Sequence, residues 1–253
     1  MATWAVADLH ACLNAWEKMK EIIGPDDKVY VLGDCIDRGP QSWETLKSVY
    51  SDPRVRLLKG NHEDMLVEAC RNYIEDGEMW SYNSYTDCYY NGGYQTMMDW
   101  EIMPDREKWI NYLDNLPVFD TYVNKDGITI FLSHAGFSPW RDESNREQIY
   151  IPSNERLIWD REHTYDDWFE DEMNDNVLIV HGHTPSQFIA DFNCVDWVPG
   201  AFWYCNNHKI CIDNGGFDSG YFCLLNLDTF DEEIIDFNKG NSFHSKEYFL
   251  LGL

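Results

Sequence analysis

Five apolar runs in this 253-residue chain end on side chains that can hold a cation. Asp8 and His10 follow Thr3-Trp4-Ala5-Val6-Ala7, and Asp34 follows Val29-Tyr30-Val31-Leu32. Asn61 and His62 follow Val55-Arg56-Leu57-Leu58, His134 follows the run 128–132, and His183 follows the run 177–180. Carboxylate and amide oxygens mixed with imidazole nitrogens suit Mn²⁺, Fe or Zn²⁺ and do not resemble a thiolate set. One histidine at a strand end is ordinarily a hydrogen-bonded structural residue. Five such ends in one chain strain that explanation. The densest is Gly33-Asp34-Cys35-Ile36-Asp37-Arg38-Gly39, where two carboxylates and a guanidinium crowd the end of a buried run and call for compensation. Cys35, in the middle of it, reads as a small buried filler.

The elements that must position these residues follow from periodicity. Leu13, Trp16, Met19 and Ile22-Ile23 recur at helical spacing until Gly24-Pro25 stops them. Further helices are expected at about 42–50 and 63–75, so three βα units fill the first 75 residues. Strands that each deliver potential ligands at their carboxyl ends predict an α/β fold with its site along those ends. Residues 76–117 change character: Trp80, Tyr82, Tyr85, Tyr89, Tyr90, Tyr94 and Trp100 crowd a polar, helical stretch containing Asn91-Gly92-Gly93. A helical insertion with its own aromatic core is the expectation, a substrate-contacting lid the sharper alternative. Residues 138–156 read as loop, and the acidic stretch through Asp175 as a solvated face. The runs 209–213 and 221–227 read as two late strands joined by a Gly-rich turn, forming a second, more antiparallel sheet. Asp213 lies at that turn. No linker divides the chain, so one domain over 1–253 is expected.

The formal charge of −26 argues against wrapping nucleic acid or docking on anionic lipid. A small phosphorylated group can still bind where metal ions reverse the field locally. The eight cysteines form no CxxC pair, which fits free thiols in a reducing cytosol. The N-terminus has neither the basic segment nor the long apolar run of a secretory signal, and no run reaches the roughly 18 apolar residues of a membrane span. A cytoplasmic protein is the expectation. Nothing in the chain sets its oligomeric state.

The blocks ADLH, GDCIDRG, GNHE, LSHAG and VHGHTP resemble, in order, the signatures of the metal-dependent phosphoprotein phosphatases, within the calcineurin-like metallophosphoesterases. LIWDRE is similar to a block of the small bacterial and phage members. The resemblance runs from about residue 3 to about 225. It implies a four-layer α/β/β/α sandwich of two mixed sheets with flanking helices. It also implies two divalent metal ions, foremost Mn²⁺ with Fe or Zn²⁺ as alternatives. Asp8 and His10 would hold the first metal, Asp34 would bridge both, and Asn61, His134 and His183 would complete the second. His62 would be the acid that protonates a leaving alkoxide, with Asp37 orienting it, and Arg38 and Arg161 would bind phosphate oxygens.

Elementary chemistry agrees with those roles. Two cations about 3.5–4 Å apart share a hydroxide and aim it in line at phosphorus, and guanidiniums offset charge on the equatorial oxygens. The implied activity is hydrolysis of a phosphomonoester on a phosphorylated serine or threonine of a protein or peptide. Its rival is symmetrical dinucleoside tetraphosphate hydrolysis on the same metal core; Asp37 and Glu63 favour the phosphatase. A non-catalytic metal-binding module is the second alternative, although every expected position is filled. In the first block Ala7 and Ala11 stand where the family usually has glycines, which bears on metal affinity. His181 reads as a packing or supporting residue, and His163 and His208 as surface residues.

Overall fold

The computed structural model describes residues 1–80, 82–138, 140–142, 145–165 and 176–237. Its first strands are β1 (Thr3–Val6), β2 (Lys28–Val31) and β3 (Val55–Leu57), followed by β4 (Phe119–Val123) and β5 (Thr129–Ser133). A ribbon of β6 (Trp140–Asp142) and β7 (Asn145–Tyr150) precedes β8 (Val177–His181). The last are β9 (Phe202–Tyr204), β10 (Lys209–Cys211), β11 (Tyr221–Asn226) and β12 (Glu232–Asp236). They build two mixed five-stranded sheets, in the orders β12-β11-β1-β2-β3 and β4-β5-β8-β10-β9.

Strand alternation shows how the two sheets face each other. Tyr30 packs with the cluster of Ala5, Leu132, Leu178, Val180, Ile210 and Leu225 between the sheets. Their neighbours Val6, Val29 and Val31 point the other way, to Trp16, Leu46 and Leu66. Those residues come from α1 (Leu13–Ile22), α2 (Ser42–Ser51) and α3 (Asn61–Glu75). On the second sheet Phe131 and Ile179 turn outward to Phe137 and Leu157. The period of two therefore gives each central strand two apolar faces, which is why β8 is buried along its whole length. Two mixed sheets flanked by helices result, as the resemblance implies.

Between α3 and β4 lie α4 (Tyr82–Cys88), a π-helical turn at Tyr89–Gly93, α5 (Tyr94–Glu101) and α6 (Arg106–Asp114). Trp100, Trp109 and Leu113 from this region join the helix-side core.

Two expectations change. The runs 209–213 and 221–227 do not pair: β10 lies parallel to β8, whereas β11 lies antiparallel to β1 in the other sheet. The turn between them crosses the sandwich, with Gly215 and Gly220 at φ 59° and 77°. β11 buries Phe222 and Leu224 on one face and Cys223 and Leu225 on the other, which suits an interior slot. The stretch 138–156 is not all loop, since it holds the β6–β7 ribbon and the start of α7 (Asn154–Trp159). The acidic expectation at 166–175 lies outside the described residues.

Candidate metal centre

Register puts the ligand-bearing turns level with one another. Val6 pairs with Val31 and Val31 with Leu57, so Asp8, Asp34 and Asn61 emerge together beyond the first sheet. Leu132 pairs with Val180, which does the same for His134 and His183 beyond the second. The turns are then laced. His10 N–H donates to Asp34 O at 2.8 Å, and His183 N–H donates to an Asp8 carboxylate oxygen at 3.0 Å across the two sheets. His62 N–H, in the first turn of α3, donates to Asp34 Oδ1 at 3.0 Å, so Asp34 caps that helix. Asp8, His10, Asp34, Asp37, Arg38 and His183 all have φ between 41° and 69°, a left-handed region uncommon for residues other than glycine. At Gly33, φ is 91° and an added Cβ would lie 2.6 Å from the Gly60 backbone, so the second and third turns meet only because the residue is glycine.

The polar atoms thus gathered are mostly acceptors facing acceptors. His134 Nδ1 is 2.8 Å from Leu32 O and His10 Nδ1 is 3.1 Å from Ile36 O; each donates its proton there, which leaves the Nε2 lone pairs pointing inward. His134 Nε2 meets Asn61 Oδ1 at 2.9 Å and His183 Nδ1 at 3.1 Å. Asp34 Oδ2 lies 3.5 Å from His134 Nε2, 3.7 Å from His10 Nε2 and 3.8 Å from His62 Nε2. Burial holds His10, His134 and His183 below their ordinary values. Burial, then Asp213 and Asp34, pushes Asp8 well up. Burial also acts to raise Asp34, but His134, His62 and His10 outweigh it and hold its carboxyl low. Converging lone pairs and buried carboxylates are the donor set that a pair of divalent cations satisfies.

Two groups within this set have atoms lying within 4.8 Å of one another: Asp34 with His134 and His183, and Asp34 with His10 and His62. In the second group His62 Nε2 is already engaged by Arg38 Nη2 at 3.0 Å, whereas Asp8 Oδ1 stands 3.9 Å from His10 Nε2. Asp8 is therefore the better partner for His10. His62 Nδ1 lies 2.8 Å from Asp37 Oδ2, so the imidazole is clamped between a carboxylate and a guanidinium. Burial acts to lower His62, but Asp34 and the Asp37 bond more than offset it and the net shift is upward. Arg161 Nη1 donates to His183 O at 3.0 Å and to Thr184 Oγ1 at 3.2 Å. All ten residues singled out from the sequence stand around one site.

Three supporting residues were misjudged or passed over. Glu63 is fully buried and accepts the N–H groups of Asp34, Cys35 and Gly60 at 2.8, 2.8 and 2.9 Å, which fixes the turn carrying Asp34. Asp213 accepts Gly215 N–H at 2.7 Å, a turn role, yet it is 3% exposed and close enough to raise Asp8. His163 is not on the surface. It is buried, with its Nε2 against Ala135 O beside His134, its ring 5.0 Å from that of His181. Its polar neighbours Glu162 and Thr164 gave no apolar signal to reveal this. His208 is half-buried, its Nδ1 3.1 Å from Val177 O. Cys35 is buried with its thiol pushed well up by burial, as befits a filler.

Residues 1–230 match the calcineurin-like phosphoesterases. The chain belongs to that family. It is 27% identical over 225 residues to a symmetrical bis(5′-nucleosyl)-tetraphosphatase of Pseudomonas fluorescens, covering 86% of this chain and 67% of that protein. With the enzyme of the same name from a Marinomonas species it shares 22% over 222 residues, covering 86% and 70%. A metallophosphoesterase structure from Sphaerobacter thermophilus superposes with a TM-score of 0.53 at 16% identity, over 90% of this chain and 84% of that one.

These relatives overturn the expected phosphoprotein or phosphopeptide substrate, since they are named for a nucleotide reaction. The geometry explains why Asp37 and Glu63 misled. Asp37 holds His62 and Glu63 holds the Asp34 turn, so both are spent on supporting residues of the site itself. Among the described residues no helix is long and apolar enough to cross a membrane.

Proposed function

We propose that this protein is a metal-dependent hydrolase of symmetrical dinucleoside tetraphosphates, splitting the central anhydride to release two nucleoside diphosphates. The observation that carries this reading is the alignment with symmetrical bis(5′-nucleosyl)-tetraphosphatases over 86% of the chain. In this reading Asp8, His10 and Asp34 hold one divalent ion, and Asp34, Asn61, His134 and His183 hold the second. Manganese is the first ion to supply, with iron and zinc as the alternatives, because a mixed oxygen and nitrogen set accepts all three. When bound, such a pair supplies Lewis acidity toward water and the phosphoryl oxygens.

The chain's own residues do the rest. Arg38 and Arg161 offer guanidinium donors from opposite sides of the site to the oxygens of the phosphate under attack. Arg38 turning to phosphate releases His62 Nε2, which can then hold a proton toward the departing oxygen while Nδ1 stays on Asp37. No serine or cysteine nucleophile is needed, so no phosphoenzyme accumulates. The test is to supply the purified protein with Mn²⁺ and diadenosine tetraphosphate and to separate the products. ADP as the sole nucleotide product is expected. ATP with AMP, or no turnover by protein that hydrolyses p-nitrophenyl phosphate, would sink the reading.

A further inference from the structure

The aromatic residues of the helical region divide into two populations. Tyr73, Trp80 and Trp100 pack on each other with centroids 4.3, 5.8 and 6.0 Å apart, and Trp100 is fully buried. That is the expected aromatic core. Tyr85, Tyr89, Tyr90 and Tyr94 form a second group, which runs from Tyr85, half-buried against the core and 6.4 Å from Trp80, out to the surface. Tyr89 stacks on Tyr85 at 5.4 Å, and the rings of Tyr90 and Tyr94 stand near-perpendicular to it at 5.3 Å each. Tyr90 is 80% exposed and Tyr94 46% exposed. Tyr90 and Tyr94 bury little area, so core packing does not account for them.

Their position gives them a use. Helical geometry is interrupted at Gly92 within the turn Tyr89–Gly93. Gly92, at φ 91°, accepts the Arg38 N–H at 3.1 Å, and a Cβ on Gly93 would lie 3.1 Å from Asp37 Oδ2. This turn therefore rests directly on the Asp37-Arg38 pair. Tyr89 opens this turn, three residues before Gly92. Tyr90 and Tyr94 each lie two residues from Gly92, at most about 7 Å along the chain. The turn that carries these rings thus lies against the backbone and Cγ of Arg38, the residue assigned to phosphate.

We infer that Tyr89, flanked by Tyr90 and Tyr94, is a stacking subsite for the nucleobase of a nucleotide whose phosphate reaches Arg38. The inference rests on the nucleotide reading above and names where one end of that substrate sits. Stacking suits this protein: at a net charge of −26 a flat, neutral ring gives affinity without further cations. Because every base has a π-face, discrimination among bases should be small.

The experiment compares AMP with ribose 5-phosphate as inhibitors of p-nitrophenyl phosphate hydrolysis, since the two differ only in the base. In the unaltered Mn²⁺-loaded protein AMP should inhibit at about tenfold lower concentration. Tyr89→Ala should bring the ratio close to one, Tyr89→Phe should preserve it, and Tyr90→Ala, at the most exposed ring, should lower it part of the way. A ratio near one in the unaltered protein overturns the subsite. So does a ratio that neither alanine variant moves. Turnover of diadenosine tetraphosphate is scored separately. Its absence together with an intact, tyrosine-dependent AMP preference would remove the tetraphosphate reading and leave the subsite standing.

Discussion

His62 is fully buried and gripped on both ring nitrogens, by Asp37 at 2.8 Å and by Arg38 at 3.0 Å. The strength of acid that the reaction needs depends on the leaving group. An alkoxide must be protonated, whereas a phosphate leaving from an anhydride has a pKa of about 6 and departs readily as an anion. His62→Asn should therefore cost about 10- to 100-fold in kcat on diadenosine tetraphosphate, at the low end of general-acid effects. Asp37 acts only through the imidazole, so the Asp37→Asn, His62→Asn double variant should be no slower than His62→Asn alone. Steady-state kinetics with metal content measured alongside tests both points; an additive double variant would give Asp37 a second role. The Asp37–His62 pairing was legible because GDCIDRG and GNHE quote it nearly in full, whereas the Arg38 contact with His62 was not. Glu63 was legible as a letter of GNHE but not as the clamp on three backbone N–H groups, because that depends on how closely Gly33 and Gly60 approach.

Behind the turns that carry His134 and His183 lies a layer of buried polar side chains that no local pattern announces. His163 Nε2 bonds Ala135 O, His181 Nε2 meets Tyr204 Oη at 2.6 Å, and Lys209 Nζ, fully buried, donates to His163 O at 2.7 Å and Ser138 Oγ at 3.0 Å. Strands such as β1, β2, β5 and β8 could be read from their apolar runs, since burial on both faces leaves a continuous hydrophobic signal. The partners that complete the sheets could not. β9 has three residues and β12 is an acidic edge, Glu232–Asp236, so neither carries that signal. The buried layer has a measurable consequence. Burial lowers His181 from 6.5 to about 3 and lowers His163 as well, with the Lys209 charge acting in the same direction. Both rings are neutral when folded, while the unfolded chain takes up protons below pH 6.5 or so. Stability is then complete above that pH and falls as the solution is acidified, by roughly 1.4 kcal/mol per pH unit for each ring. His10, His134 and His183 pull the same way but are common to both proteins in a comparison. Between pH 6.5 and 5 the His181→Gln variant should lose about 1.6 kcal/mol less than the parent in urea unfolding, whatever its stability at neutral pH. Equal slopes would mean that the folded protein admits a proton at His181.

At the scale of the whole molecule the proposed reaction asks a chain with a net charge of −26 to bind a polyanion. Outside the site the field opposes the substrate; inside it, Arg38, Arg161 and the bound cations must reverse that sign over a short distance. The Debye length falls from about 30 Å at 0.01 M salt to about 8 Å at 0.15 M, so added salt removes the distant repulsion long before it screens a buried contact. The kcat/KM for diadenosine tetraphosphate should therefore rise by several-fold over that range, the reverse of an enzyme with a basic funnel. p-Nitrophenyl phosphate, with about half the charge, should show a smaller rise in the same titration. The metal concentration must be held saturating so that only the encounter changes. If kcat/KM instead falls with salt for both substrates, the attraction of the two guanidiniums extends past the rim of the site. The acidic surface would then be arranged away from the approach path, and the net charge would say little about how substrate arrives.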